Sequence, residues 1–379
     1  MSYEKEYFAE TYEENRAKFI NLIAPVKELW PDAELHQISI DPVSDDLTID
    51  VIKASPSDRY NKLLFISTGL HGVEGYIGAA VQHLFAVEFL KLLNPLHTGI
   101  CFIHAINPWG MKSRRRVNEH NVDLNRNFIY EEADKSELVN SAYDRAGYLL
   151  NPDRPLKRPN SLFFYLRLLN LILSMGPAVF REAVLFGQYR YPKGLYYGGK
   201  GFEPSSEHMN NLFREVIQPY RQVLYIDMHS GYGPREQMTL VNSTYESRDS
   251  ASLQKAFKYP LVVKTDPEEF YQMRGDMVDY FYQLMDNHYA DKNFFGTSFE
   301  FGTFGESFLA VIKSLRVMVN ENRLFHHGAV SEKVAERARV EFEALFNPPE
   351  DEWKEKALHD ARQAFEGILK AEGFVDNGV

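Results

Sequence analysis

Short apolar runs alternate with amphipathic stretches along most of this chain. The runs are bounded by turn residues, which predicts strands at 35–40, 47–53, 63–68, 100–106, 222–228 and 297–301, with weaker candidates at 238–242 and 259–263. Helical periodicity covers 3–24, from Glu74 to about Leu93, much of 133–217, and two final stretches at 331–346 and 351–372. Strands that alternate with helices predict an α/β fold, a three-layer sandwich whose central mixed, mostly parallel sheet is flanked by helices.

No internal repeat or flexible linker interrupts the pattern, so we expect one domain over 1–379. The helical part at about 131–215 is interpreted as an insertion, and the helices at about 331–372 close the chain. Within the insertion, the Gly/Tyr/Pro-rich stretch 187–201 fits either a pocket mouth or an ordinary surface loop. The stretch 161–180 contains Arg167 and a Gly176-Pro177 break, which favours a buried amphipathic helix over a membrane span.

Composition and charge narrow the function classes. The chain has 379 residues, 44% hydrophobic and 25% charged, which is typical of a globular protein. Its net charge of −11 speaks against general nucleic-acid binding, because phosphates would be repelled. Cys101 is the single cysteine, so neither an internal disulfide nor a cysteine metal site is expected. The acidic N-terminus lacks a secretory signal, and we expect a cytoplasmic protein without a membrane partner.

The first candidate functional residues follow the apolar run 63–68, in the segment KLLFISTGLHGVEG. His71 and Glu74 are three residues apart on a short turn, so an imidazole and a carboxylate can face one centre. A lone His-x-x-Glu pair also arises by chance, as a helix cap or surface pair. Two such ligands need a third to leave a catalytic zinc with an open position, and ligands in open α/β sheets gather beyond the carboxyl ends of strands.

Two further apolar runs contain polar groups that are costly to bury without a partner. His229 lies in VLYIDMHSGYGP and Glu300 in TSFEFGTFG. A shared metal would supply the partner for His229, and burial would raise the pKa of Glu300 toward that of a general base. Taken separately, each residue has a simpler interpretation: His229 as a hydrogen-bonded core histidine, and Glu300 as a member of a salt bridge at a strand end. Asp227, on the strand face of His229, either orients a ligand or pairs with an arginine.

The most specific segment is NPWGMKSRRRVNEHNVDLNRNF, which follows the run 100–106. Asn125 and Arg126 place an amide beside a guanidinium, and arginine is suited to bidentate binding of a carboxylate. Arg114, Arg115 and Arg116 form a cationic run in an acidic protein. At least one of the three is expected to be solvated, but a cation near a zinc-bound carbonyl would stabilise an oxyanion.

Together these motifs resemble the zinc carboxypeptidase superfamily, which includes carboxypeptidase A-like enzymes, murein-peptide carboxypeptidases, and the aspartoacylase/succinylglutamate desuccinylase branch. The matching order is H-G-x-E, N-P-x-G, an arginine, V-D-L-N-R-N-F, D-x-H and a strand glutamate, over about two-thirds of the chain. The resemblance implies a zinc-peptidase-like fold and one Zn²⁺ ion bound by His71, Glu74 and His229.

The resemblance also implies the catalytic roles. Glu300 would activate the attacking water, and Asn125 with Arg126 would hold the substrate carboxylate. One arginine would polarise the scissile carbonyl; Arg116 best matches the arginine before D-L-N-R in desuccinylase-like members, with Arg114 and Arg115 as alternatives.

Two residues of the superfamily pattern are not assigned to single positions or roles in this sequence. The substrate-capping tyrosine of carboxypeptidase A-like enzymes has no clear counterpart, and Tyr271, Tyr280 and Tyr282 are candidates. Arg274 is either a second carboxylate-binding group or a surface ion pair.

The expected function is zinc-dependent hydrolysis of an amide bond next to a free carboxylate, as in a metallocarboxypeptidase. The alternative is an N-acyl-amino-acid deacylase of the aspartoacylase/desuccinylase type, which would use the same ligands on a small molecule. A non-catalytic metal- or peptide-binding protein would lack a ligand or the base, and the sequence has candidates for all of them. Substrate side-chain preference, the number of metal ions and the oligomeric state do not follow from the sequence.

Overall fold

A computed structural model describes residues 3–40, 46–129, 139–265 and 273–375. Its strands are β1 (Glu34–Ser39), β2 (Thr48–Ala54), β3 (Lys62–Thr68), β4 (Thr98–His104), β5 (Gln222–Ser230), β6 (Met238–Asn242), β7 (Val262–Lys264) and β8 (Asn293–Phe301). Its α-helices are α1 (Tyr12–Asn21), α2 (Ile23–Leu29), α3 (Gly75–Glu88), α4 (Pro108–Lys112), α5 (Ser141–Leu150), α6 (Leu162–Met175), α7 (Pro177–Leu185), α8 (Pro204–Ile217), α9 (Ser250–Phe257), α10 (Met277–His288), α11 (Phe308–His327), α12 (Glu332–Phe346) and α13 (Asp351–Ala371).

The eight strands form one mixed sheet in the order β1-β2-β4-β3-β5-β8-β6-β7. The central strands β4, β3, β5 and β8 run parallel to one another. At the two edges, β2 is antiparallel to both β1 and β4, and β6 is antiparallel to β8. Because the four central strands share one direction, their carboxyl ends meet at one edge of the sheet. The predicted mixed, mostly parallel sheet is confirmed.

Helices cover both faces of the sheet. Alternate residues along β3 point to opposite faces, so Leu64 and Ile66 pack with helices α3 and α13, while Leu63 and Phe65 pack with α8 and α10. These two apolar layers confirm the predicted three-layer α/β sandwich. The central strands are buried on both faces, which explains why their sequences read as continuous apolar runs.

A third apolar cluster lies among α5, α6, α7, α11 and α12. Four of these five helices lie within the predicted ranges: α5, α6 and α7 in the insertion, and α12 among the C-terminal helices. The division of the chain into domains stays a prediction. The stretch 161–180 forms α6 and the start of α7, and the expectation of a buried helix is only partly right. Leu168 and Leu171 are buried, whereas Leu162 and Leu173 on the opposite side are 71% and 76% exposed.

The described residues include thirteen α-helices, and their length and apolar character bear on membrane crossing. No single helix there is long and apolar enough to cross a bilayer, although α6 and α7, bent by 114°, pass the length and composition criteria as a pair. The cellular compartment stays a prediction.

Candidate metal centre

The turn after β3 brings His71 and Glu74 to the carboxyl edge of the sheet. Gly69 takes a φ of +73°, which a residue with a Cβ rarely adopts, and Gly72 packs so tightly on the backbone of Gly110 that a Cβ would clash. A short 3-10 turn, Gly72–Glu74, then leads directly into α3. The glycines therefore allow the sharp reversal that points both side chains inward, where each residue is less than 4% exposed.

His229 joins this pair from the neighbouring strand. Because β3 and β5 are parallel neighbours, both end at the same edge, and His229 lies near the end of β5. The Nδ1 atom of His71 is 3.0 Å from Glu74 Oε1, and the Nδ1 atom of His229 is 3.1 Å from Glu74 Oε2. Potential ligand atoms of the three residues all lie within 4.8 Å of one another.

The donor set fits a zinc ion. Ligand atoms around one tetrahedral zinc stand about 3.3 Å apart, given bonds of about 2.0–2.1 Å. His71 Nδ1 and Glu74 Oε1 are 3.0 Å apart but are not aligned for a hydrogen bond. Both atoms are buried, and neither has a hydrogen-bond partner in the described part of the chain. Buried polar atoms without partners are costly, so this pair indicates a group that the protein itself does not supply.

Two further carboxylates orient the imidazoles. Asp123 Oδ1 lies 3.0 Å from His71 Nε2, and Asp227 Oδ2 lies 2.9 Å from His229 Nε2. A carboxylate at Nε2 fixes the ring and, where it accepts the Nε2 proton, leaves the Nδ1 lone pair for a metal, as is usual for metal-binding histidines. At His71, the Nη2 atom of Arg116 also lies 2.7 Å from Nε2. The Ser67 hydroxyl in turn donates to Asp227 at 2.6 Å. Of the two interpretations of Asp227 drawn from the sequence, the contact with His229 is the one observed.

The cluster is electrostatically suited to a cation. Burial alone would raise the pKa of Glu74, but the His71 and His229 rings outweigh burial and hold it below its ordinary value. Burial would lower the pKa of His229, yet Asp227 and Glu74 raise it well above its ordinary value. Three buried acids thus surround two imidazoles, and a positive charge at their centre is stabilised.

Glu300 lies beside the cluster on β8. Its Cα pairs with that of His229 across parallel strands, so both side chains project from the same face of the sheet. Its Oε1 atom accepts a hydrogen bond from the backbone N–H of Tyr232 at 3.0 Å. Burial, and then the nearby charge of Glu74, raise the pKa of Glu300 to about 7. A carboxylate with such a pKa can both accept and return a proton near neutral pH.

The structure separates the three consecutive arginines. Arg116 Nη1 lies 3.6 Å from Glu74 Oε1, and its Nη2 lies 3.1 Å from Asp123 Oδ2. By contrast, Arg115 is buried in an ion pair with Glu321 and stacks on a phenylalanine ring. Arg114 pairs with Glu343 and lies over the ring of Tyr76. Arg116 is therefore the member of the triplet that faces the cluster.

Asn125 and Arg126 follow Asp123, the partner of His71, in the chain, but their polar groups bond to other parts of the protein. The Asn125 amide donates to Asp276 and accepts from the backbone N–H of Met277, so it caps the start of α10. The Arg126 guanidinium donates to the carbonyls of Asn125 and Leu185, which leaves its buried Nε without a partner in the described residues. Their role in holding a carboxylate stays a prediction.

Several contacts at the site were not predicted from the sequence. The VDLNRNF motif contains Asp123, but nothing in its spacing identified this residue as the partner of His71. Of the candidate capping tyrosines, Tyr271 lies outside the described residues. Tyr280 donates to Asn210, and Tyr282 donates to Glu246. The guanidinium of Arg274 stacks 3.8 Å from the ring of Phe186.

The fold is similar to the folds of several solved structures. Bovine thrombin-activatable fibrinolysis inhibitor, in complex with tick carboxypeptidase inhibitor, is 16% identical with a TM-score of 0.47; the alignment covers 89% of this chain and 100% of that one. Carboxypeptidase A from Helicoverpa armigera is 16% identical, TM-score 0.45, covering 87% and 73%. Murein-tripeptide amidase MpaA from Escherichia coli O157 is 19% identical, TM-score 0.37, covering 77% and 91%. Similarity at this level does not show a shared activity.

A family profile described as "Protein of unknown function (DUF2817)" matches residues 8–360, which is most of the chain. A comparison with curated proteins finds no match.

Proposed function

We propose that this chain, which belongs to the DUF2817 family, is a zinc-dependent hydrolase of amide bonds next to a free carboxylate. The observation that carries the proposal is the buried cluster of His71, Glu74 and His229 with the carboxylate of Glu300 beside it. Two imidazoles and a carboxylate are a ligand set of catalytic zinc sites that leave one coordination position open.

The protein's own residues would bind and tune the ion. A zinc ion held by His71, Glu74 and His229 would lower the pKa of a water molecule and polarise a carbonyl oxygen. Asp123 and Asp227 fix the two imidazole rings, so their Nδ1 atoms stay directed at the centre. These outer carboxylates also make the imidazoles more basic and strengthen their binding of the ion.

Glu300 is the proposed general base. In its ionised form it takes a proton from the attacking water, and it then returns this proton to the nitrogen of the leaving amine. The Tyr232 backbone N–H holds one carboxylate oxygen and leaves the other for this transfer.

Arg116 is proposed to stabilise the negative charge that develops on the carbonyl oxygen. Its guanidinium is 14% exposed and lies against Glu74 and Asp123, so it is held in place before a substrate arrives. A fixed cation in a largely dry site stabilises an oxyanion without further rearrangement.

We expect Arg116→Gln to lower kcat/KM by about 100- to 1,000-fold, the range found when one oxyanion-stabilising donor is removed. Kinetics on zinc-loaded protein measure the effect. Arg114→Gln is the matched control, because its partners are Glu343 and Tyr76 on the outside of the cluster, and it should retain nearly full activity. Equal losses in the two variants would refute the role of Arg116.

Two substrate classes fit this chemistry. A peptide with a free carboxyl end is the first, as in a metallocarboxypeptidase. A small N-acyl amino acid is the second, and the depth of the cluster favours it: the side chains of His71, Glu74 and His229 are only 1–6% exposed. Deeply buried polar sites suit small ligands that are largely enclosed.

A substrate panel tests the proposal directly. Zinc-loaded protein is assayed with N-acetyl-L-aspartate, N-acetyl-L-phenylalanine, benzoylglycyl-L-phenylalanine and benzoylglycyl-L-arginine, each beside its C-terminal amide. We expect hydrolysis of at least one free acid and at least tenfold slower hydrolysis of its amide, since the amide lacks the carboxylate charge. Faster turnover of the acetyl amino acids would identify a deacylase, and the benzoylglycyl compounds a carboxypeptidase. Hydrolysis of none of them would count against the proposal.

A further inference from the structure

Helix α6 exposes a continuous row of large apolar side chains. Its buried residues, Leu168, Leu171 and Met175, pack on the third apolar cluster. The solvent-facing side carries five large apolar residues, each between 50% and 76% exposed: Leu162, Phe163, Leu166, Leu169 and Leu173. We call these five residues the α6 stripe. Isolated exposed leucines are ordinary on a protein surface, but a row along a whole helix indicates a surface that binds another apolar body.

The described parts of this chain leave the α6 stripe uncovered, as its exposure shows. The longest segment outside them, YEEADKSEL at 130–138, has few apolar side chains and four acidic ones, so it does not match an apolar row. The partner of the stripe therefore lies outside these residues.

The residues around the stripe are basic in an otherwise acidic protein. Between Asp153 and Glu182 the chain has no acidic residue and five basic ones, all of them exposed: Arg154, Lys157, Arg158, Arg167 and Arg181. In the part of the chain that the structure describes, Lys157, Arg158 and Arg167 form no ion pair. A segment with five uncompensated basic residues, in a protein of net charge −11, is suited to an anionic partner.

The basic segment before α6 is held to the protein by its backbone. The N–H of Leu156 donates to the carbonyl of Gly328 at 2.9 Å, and the carbonyl of Leu156 accepts from the N–H of Val330 at 3.0 Å. The carbonyl of Pro159 accepts from the side-chain amide of Asn320 on α11 at 2.7 Å. The backbone that carries the basic side chains is thus already ordered, so little of its entropy is lost when they meet a partner.

An anionic bilayer surface matches both properties. An amphipathic helix lies in the membrane interface when its Leu and Phe side chains enter the acyl boundary and nearby Lys and Arg side chains meet anionic headgroups. Because the other side of α6 is packed on the protein, the helix can lie on a bilayer without crossing it. A second copy of this chain fits less well, since a two-fold contact brings the same basic segment of both copies together.

We propose that the α6 stripe docks this protein on the surface of a bilayer that contains anionic lipids, with Lys157, Arg158 and Arg167 at the headgroups. The sequence led us to expect no membrane partner, because the N-terminus lacks a secretory signal and 161–180 does not fit a span. A helix that lies on the surface requires neither. The inference is independent of the proposed hydrolase, and its test needs neither zinc nor a substrate.

Sedimentation with vesicles tests the inference on the full-length protein. We expect it to bind vesicles of phosphatidylcholine with about 30% phosphatidylserine, and to bind phosphatidylcholine alone at least about tenfold more weakly. Leu169→Glu/Leu173→Glu should weaken binding by at least about 100-fold, because two apolar side chains leave the acyl boundary and two anionic ones replace them. Both residues are exposed, so the Tm should stay that of wild type.

The matched control is Val87→Glu/Leu96→Glu, which makes the same kind of change at two exposed apolar residues outside α6. It should bind the mixed vesicles as wild type does.

A charge variant tests the second part of the inference. Lys157→Gln/Arg158→Gln/Arg167→Gln should weaken binding to the mixed vesicles by about 100-fold, at about fivefold for each charge, and should leave binding to phosphatidylcholine unchanged. Added salt should weaken the wild type in the same direction, because it screens the headgroup charge.

Three outcomes would overturn the inference. The first is a wild-type protein that does not bind the mixed vesicles. The second is equal binding by wild type and the Leu169→Glu/Leu173→Glu variant. The third is a wild-type dimer, seen by analytical ultracentrifugation, that the same variant converts to a monomer, because the stripe would then be an interface between two copies of this chain.

Discussion

Glu300→Gln should abolish hydrolysis while the protein still binds its metal. Proton transfer by a positioned side chain contributes about 100- to 10,000-fold to a rate, and glutamine cannot take the proton from the attacking water. The side chain keeps its size and can still accept the hydrogen bond from the Tyr232 N–H, so the local structure should persist. Because Glu300 is no part of the ligand set, zinc content should stay at one equivalent. Kinetics and metal analysis on the same preparation measure both.

The matched control is Glu366→Gln, which makes the same chemical change on an exposed position of α13. It should leave kcat unchanged. In the wild type, activity should rise with pH as Glu300 ionises. Burial and Glu74 raise the pKa of Glu300 to about 7, and a bound cation favours the ionised form, so this rise should be centred below pH 7. The Gln variant should lack that limb. Residual hydrolysis at wild-type rate would mean that another group is the base.

The apolar pattern predicted the sheet well because the central strands are buried on both faces. The weaker candidate at 238–242 coincides with β6, Met238–Asn242. The prediction 297–301 found only the second half of β8, which begins at Asn293. The missed half pairs with β5 from Gln222 onward, and this pairing depends on a neighbouring strand rather than on local hydrophobicity.

In the functional site, too, local sequence predicts some residues, while others depend on contacts with distant parts of the chain. His71 and Glu74 could be predicted together because both lie on one short turn, and His229 and Glu300 because they interrupt apolar strands. The partners of Asn125 and Arg115 could not be predicted, because they lie 151 and 206 residues away along the chain. Likewise, the leucines of α6 lie on more than one side of the helix, and only packing decides which of them are buried.

His229→Ala should remove the metal and the activity together. The change deletes one of three proposed ligands, and two remaining ligands hold zinc far less tightly. It also leaves the buried carboxylates of Glu74 and Asp227 without the ring between them, and an uncompensated buried charge costs about 3–5 kcal/mol. We therefore expect less than about 0.1 equivalent of zinc after reconstitution, loss of hydrolysis, and a clearly lower Tm. Metal analysis, kinetics and calorimetry measure these quantities.

His36→Ala is the matched control, because His36 lies half-exposed on the edge strand β1 and pairs only with Glu34 in the described residues. It should bind one equivalent of zinc and keep its Tm. Zinc should raise the Tm of wild type and of this control, since a ligand that binds only the folded state stabilises it in proportion to RT ln(1 + [L]/Kd). Zinc should have no such effect on His229→Ala. A wild-type protein that retains less than about half an equivalent, or a His229→Ala variant that still binds one, would show that these three side chains do not share an ion.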